Sequence, residues 1–354
     1  MAVKILLTGD INLMNVADPS VPFRQVTADL KAADFVFSNL ECCLYAPDHG
    51  VSVDLNRTNE GFFADPAAGV ALREGGIQAV GIANNVNYGA PAILSSIDHL
   101  AKLGIPRTGA GRNADDACAP VIVERNGQRI GVIQRTAVYW TTNHEASAVT
   151  PGVAALKGHT SYQIAFHRLG PDQPTPNRPG VPPVVHTWVD PKYLRILKDQ
   201  VAELRKQVDI VIVSLHWGLD KEVLEYMTEL AHASIDAGAD LVIGHGPHYS
   251  LPVEIYQEKP IFYGLGSFSF HTGHAGKKHG DWVGMMANFT VDKKTGPRTS
   301  FQFVRHNDDN ETYLCDPKAE TETLEELRAG SAMRGAGLEI EGRDVIVTHL
   351  TQES

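Results

Sequence analysis

Nowhere does the sequence run to the roughly eighteen consecutive apolar residues that a membrane-crossing helix needs. Its opening, MAVKILLTGD, sets one lysine ahead of an apolar run too short for a signal-peptide core. The expectation is a cytoplasmic, unanchored protein with no membrane partner. An excess of basic residues is lacking too: 31 Lys and Arg stand against 42 Asp and Glu, a formal net charge of -11. Bulk charge therefore repels a phosphate backbone, and nucleic acid is not an expected partner. Cysteine is scarce, at four in 354 residues, with no C-x-x-C spacing. Adjacent Cys42 and Cys43 would project to opposite faces of a strand, which disfavours a bridge between them; Cys118 and Cys315 stand apart, and buried thiols are the expected state.

What is present is an ordinary globular composition, 43% hydrophobic and 21% charged, in a chain long enough for a substantial core. Apolar strand patterns alternate with amphipathic helix patterns. VKILLTGD, DFVFSNLE and IQAVGIANN read as strands; PFRQVTADLKAAD, DPAAGVALREGG and APAILSSIDHLAKLGI read as helices. Near-continuous apolar strands in β–α order imply a parallel sheet covered by helices. APVIVERNGQRIGVIQRT predicts a hairpin turning at Asn126-Gly127.

From about 137 to 190 the chain is irregular and proline-rich, a length that points to a lid, a binding loop or disorder. Its aromatics and histidines favour a lid. The alternation then resumes with the helix PKYLRILKDQVAELRKQ, the strand DIVIVSLHWG, the helix KEVLEYMTELAHASIDAG and the strands DLVIGHG and IFYGLGSF. From about 282 a C-terminal extension follows, with strands VGMMANFTVD and SFQFVRH around KKTG, a polar helix and a last strand, RDVIVTHL. A single domain is expected.

Five apolar strands end in polar groups: Asp10 with Asn12, Asn39 with Glu41, Asn84 with Asn85, His216, and His245 with His248. Each taken alone has a plain reading, as a turn, a cap or a solvated strand end. Together they fall where ligands bind in open α/β sheets, outside the carboxyl ends of the strands, and so converge on one rim. Asp, Asn and His are also the ligand types of dinuclear zinc, manganese or iron sites.

The motifs TGDIN, SNLE, ANN, SLHWGLD, GHGPH and YGLGSF, in that order, resemble capsule-synthesis CapA-type proteins of poly-γ-glutamate biosynthesis, which are similar in fold to calcineurin-like metallophosphatases. The resemblance spans about residues 4–270. It implies a four-layer α/β/β/α sandwich with the site at the strand ends, and metal-ligand roles for Asp10, Asn85, His216 and His248, with Asn39 and Glu41 nearby. Asp220 stands where the family usually carries glutamate. Val86 replaces the histidine of an Asn-Asn-His pattern, and Gly246 replaces the first histidine of His-Pro-His, with His245 one place earlier as a candidate metal ligand in its stead. The metal site implied is degenerate, with one or two divalent ions or none.

Three readings of the chemistry remain open. With metal, the site would hydrolyse an amide or related acyl bond in a small or peptide-like, carboxylate-bearing substrate, with Arg24, Arg57 or Lys277 as carboxylate holders. Without metal, Asp10 or Glu41 and His216 or His248 would form an acid–base pair for epimerisation or isomerisation. A non-catalytic ligand-binding protein is the third. Asn39, Asn84 and Asn85 are candidate substrate contacts. So are His271 and His274 of HTGHAGKKHGDW, a glycine-rich loop that also carries His279 and Asp281. The oligomeric state is not legible.

Overall fold

The computed structural model describes residues 2–47, 62–164, 180–273 and 277–350. Two sheets lie face to face. In the first, strand Val3–Asn12 runs parallel to Phe35–Leu40 and Ser267–Phe270 and antiparallel to Gly284–Asp292. Gly296–His306 and Asp344–His349 extend it on one side, Ala79–Gly81 and Arg107–Thr108 on the other. The second sheet is ordered Ser250–Tyr256, Lys259–Leu265, Leu241–His245, Ile210–His216, Gln128–Thr136, Val121–Arg125.

Alternate residues of the central strands sort into different cores, as the two-residue period of a strand requires. Ile5, Leu7, Phe35 and Phe37 meet Val132, Ile212 and Ile243 between the sheets. Leu6, Val36 and Val80 face outward to a core that includes Ala71 and Leu72 of helix Val70–Gly75 and Ile93 and Ile97 of helix Ala90–Leu103. On the far side Val211, Val213 and Val242 pack with residues of helices Pro191–Arg205 and Glu225–Asp236. The result is the four-layer α/β/β/α sandwich.

Three readings change. The strands with polar ends divide between two sheets instead of sharing one rim, and both sheets have antiparallel edges. A strand buried on both faces looks the same in sequence whether its second face meets a helix or another sheet. The helix expected over PFRQVTADLKAAD shortens to Thr27–Lys31, because Phe23 and Val26 are buried within turns. Within 137–190, of which residues 165–179 lie outside the described residues, the chain is not irregular throughout: Gly158–Gln163 pairs with Val184–Val189 as an antiparallel ribbon. The hairpin at Asn126-Gly127 forms as expected, with both turn residues at positive φ. Among the described residues no helix is long and apolar enough to cross a membrane.

Candidate functional site

Asp10 owes its position to a glycine. A Cβ on Gly9 would lie 1.9 Å from the carbonyl oxygen of Gly266, so only glycine lets the two backbones cross. Immediately after the crossing, the Asp10 N–H donates to that carbonyl at 3.0 Å. The pairing register slips at Asp10 against both neighbouring strands. Such an irregularity re-aims a side chain, and here it sends the carboxylate toward the junction of the two sheets.

Asn39 holds the acidic pair. Its Nδ2 donates to Asp10 Oδ1 at 2.8 Å and to Glu41 Oε2 at 3.3 Å. Its Oδ1 accepts from Asn84 Nδ2 at 3.2 Å and from Gln134 Nε2 at 3.0 Å. Only one amide orientation serves all four partners. Gln134 comes from the second sheet and also accepts from the Ala83 N–H at 2.7 Å, so one side chain ties both sheets to the site. Asn84 is turned to the backbone, donating to the Leu40 carbonyl and accepting from the Asn87 N–H. Its neighbour Asn85 lines the cleft.

Three histidines complete the cluster. His248, at φ 65°, lies 3.1 Å from Asp10 Oδ2 through Nδ1 and 3.6 Å from Glu41 Oε1 through Nε2. His216 Nε2 lies 3.6 Å from the same Glu41 oxygen, and His245 Nδ1 lies 3.3 Å from Asp10 Oδ1. The Thr136 hydroxyl donates to the Val138 carbonyl at 2.7 Å, accepts from the Val138 N–H, and lies 3.0 Å from His216 Nδ1. With its proton on the Val138 carbonyl it accepts from Nδ1–H, a tautomer assigned from the network that leaves a lone pair on Nε2.

Burial and charge divide the protonation states. Burial opposes ionisation of Asp10, but His245 and His248 hold its carboxyl well below the usual carboxylate range. Burial, followed by the Asp10 charge, pushes Glu41 well above that range. Burial lowers His216 to about 4. At His248 burial works against the imidazolium, yet the Glu41 and Asp10 carboxylates raise it to about 9.

The cleft above this cluster has a volume of about 420 Å³, with Asn85, His216, Asp220, Gly246 and His248 among its walls. Val86 is buried in the helix-side core. Gly246 sits at φ 109°, and a Cβ there would approach the Trp217 carbonyl to 2.7 Å and His216 Nε2 to 3.1 Å. His271 turns its ring toward His306, with centroids 5.6 Å apart, whereas His279 packs against His248 at 4.9 Å. His274 and Arg57 lie outside the described residues. Arg24 pairs with Glu311 at 3.1 Å, and Lys277 is exposed. Cys42 and Cys43 are buried, and burial pushes the Cys42 thiol up to about 12. Gln134 and Thr136 escaped the sequence reading; the signal for them was the polar run Gln134–Arg135–Thr136 closing the apolar strand segment GVI.

The donor set suits a divalent cation. Ligand atoms of Asp10, Glu41 and His248 lie within 4.8 Å of one another. His216 Nε2 and His245 Nε2 are buried without a hydrogen-bond partner, and Asp10 Oδ2 and His245 Nδ1 are buried with only the close imidazole–carboxylate contacts given above. Buried polar atoms are seldom left so, and carboxylate oxygen with imidazole nitrogen fits zinc, manganese or iron.

Comparison with known proteins places these residues in a family. Residues 4–272 match the family described as bacterial capsule synthesis protein PGA_cap. The PGA biosynthesis protein CapA of Bacillus subtilis (strain 168) is 30% identical over 207 residues, 57% of this chain and 45% of the relative. The capsule biosynthesis protein CapA of Bacillus anthracis is 27% identical over 259 residues, 71% and 54% respectively. A probable polyglutamine synthesis accessory protein of Mycobacterium tuberculosis is 30% identical over 194 residues, 52% and 43%. The chain thus spans about half the length of these curated relatives. A solved structure described as a novel phosphatase from Mycoplasma pneumoniae aligns at TM-score 0.48 and 14% identity, covering 91% of this chain and 97% of that one. The match runs through every strand end that carries the cluster, and this chain belongs to the bacterial capsule synthesis protein PGA_cap family.

Proposed function

We propose that this protein hydrolyses an amide or related acyl bond in a small or peptide-like, carboxylate-bearing substrate. The observation that carries the reading is the convergence of buried ligand-type atoms of Asp10, His216 and His245, with Nε2 of both histidines unpartnered, beside Glu41 and His248. The names of the relatives, which point to capsule and polyglutamine synthesis, motivate the substrate class. Asp10, His216 and His248 would hold a divalent ion, with Asn85 at the cleft wall, His245 behind Asp10 and Glu41 beside the ion. A bound ion of this kind supplies Lewis-acid polarisation of a carbonyl and lowers the pKa of water. The chain's own groups do the rest. Asn39 fixes the Asp10 carboxylate by hydrogen bonding, His216 presents a neutral Nε2, and burial favours a proton on Glu41 that could pass to a leaving nitrogen.

The test is elemental analysis of untagged protein before and after chelation, paired with cleavage of γ-glutamyl oligomers. About one equivalent or more of metal, with turnover lost on chelation and restored by the ion, is the expected result. Trace metal with no turnover would overturn it. The contrasting protonation tendencies of Glu41 and His248 favour a metal-independent epimerase as the second reading. That enzyme would incorporate solvent deuterium without bond cleavage, whereas a binding protein would turn over nothing.

A further inference from the structure

A second polar cavity lies behind the sheet that carries His216. Along strand Gln128–Thr136, Gln134 and Thr136 serve the site described above, and Arg135 between them points to the opposite, helix-covered face. Arg135 is only 4% exposed and makes no ion pair among the described residues. Its Nε and Nη2 donate to Gln200 Oε1 at 2.8 and 2.6 Å, and Nη2 also reaches Cys118 Sγ at 3.3 Å. These acceptors are neutral, so among the described residues no counter-ion touches the buried guanidinium, an unfavourable state for a buried charge. The remaining nitrogen, Nη1, has no partner among the described residues and is not among the fully enclosed unsatisfied atoms. Arg135 is one wall of a cavity of about 200 Å³ whose lining also includes Glu145 and, at its exposed edge, Asp115. Glu145 accepts from the Tyr193 hydroxyl at 2.5 Å and lies 3.6 Å from the half-exposed Lys157, but it does not pair with Arg135. Much of the remaining wall is alanine, including Ala114, Ala154 and Ala155.

A cation and carboxylates in one small cavity, with no ion pair between them among the described residues, leave room for a ligand carrying both opposite charges. We propose that this cavity binds a small free α-amino acid, its carboxylate on the Arg135 guanidinium and its ammonium on Glu145. Size agrees, since an apolar cavity of about 150 Å³ takes benzene and this one is somewhat larger. The N–H groups of Nη1, left over once Nε and Nη2 are engaged, suit a carboxylate oxygen, and a bare anion would be repelled by Glu145 and Asp115. The site is separate from the cleft and needs no catalysis, so its test does not depend on the hydrolase reading.

Isothermal titration of the full chain with glycine, L-alanine and L-glutamate, against acetate and methylamine as the two half-ligands, decides it. At least one amino acid should bind about tenfold or more tighter than acetate or methylamine. Arg135→Gln should weaken that binding at least about tenfold, and Glu145→Gln should weaken the amino acid while leaving or improving acetate. No binding by any of the three amino acids overturns the proposal, as does equal affinity for acetate, which would mark a plain anion site. Should Arg135→Gln fail to fold, Arg135→Lys keeps the charge but loses the Nη1 donors. Unchanged amino-acid affinity in both Arg135→Lys and Glu145→Gln would then be equally fatal.

Discussion

Replacing Thr136 by valine removes one hydroxyl while keeping the branched shape, which isolates what that hydroxyl does for His216. In the parent it accepts from His216 Nδ1–H and from the Val138 N–H and donates to the Val138 carbonyl. Val138 is partly exposed, so water can replace its two bonds. His216 is 1% exposed and has no such recourse. Leaving a buried donor unpaired costs roughly 1–3 kcal/mol, and with part of the Val138 bonds the stability loss should be about 2–4 kcal/mol. The same change frees the ring to rotate or switch tautomer, and loss of an outer-shell partner typically weakens metal binding by about 10–100-fold. Calorimetric titration of manganese or zinc into chelator-stripped protein measures the second effect, and denaturant unfolding the first. Thr136→Ser restores the hydroxyl without the methyl and should recover most of the metal affinity. If Thr136→Val binds metal within about twofold of the parent while remaining folded, the tautomer assignment and the ligand role of His216 are both wrong.

Gly9→Ala forces a Cβ to within 1.9 Å of a backbone oxygen; it should destabilise the fold by about 3 kcal/mol or more, and an unfolding midpoint close to the parent's would refute the crossing constraint. Gly246→Ala meets both positive φ and close contacts, and should cost about 1–3 kcal/mol in chemical denaturation; Gly246→His, which supplies the imidazole of the family pattern, should bind metal no better than the parent. Burial holds His144 at about 4, against the opposing effect of the Asn87 carbonyl, while the unfolded residue titrates near 6.5. The unfolded chain therefore takes up more protons between those values, and this group's contribution falls as pH drops through the window, by up to roughly 3 kcal/mol. His144→Gln should flatten the decline of Tm between pH 6.5 and 4, both values following the titration range, and an unchanged slope would show that His144 is not the group responsible.

Most strands and helices were legible because their patterns are local. The run VKILLTGD can be little else than a buried strand, Asn126-Gly127 is a hairpin turn on its own chemistry, and APAILSSIDHLAKLGI carries its apolar stripe at helical spacing. The candidate cluster was legible for a related reason: Asp10, Asn39, Glu41, His216, His245 and His248 are polar residues at the ends of strands too apolar to be exposed. Gln134 and Thr136 were not found, since a polar residue inside a strand does not reveal whether it faces a helix, the other sheet or the site.

Sequence by itself determined the alternation of strands and helices, the strand-end placement of the polar residues, and the family. Tertiary structure alone decided that those strands divide between two sheets, that Asn39 and Gln134 join them, and that Asn84 serves the backbone while Asn85 faces the cleft. It also decided that Gly9 and Gly246 are glycines because other parts of the chain pass too close for a side chain. The physical reason is range. Periodicity and turn chemistry act over a few residues, whereas the contacts that aim Asp10, orient His216 and leave Arg135 without a counter-ion bring together segments tens to hundreds of positions apart.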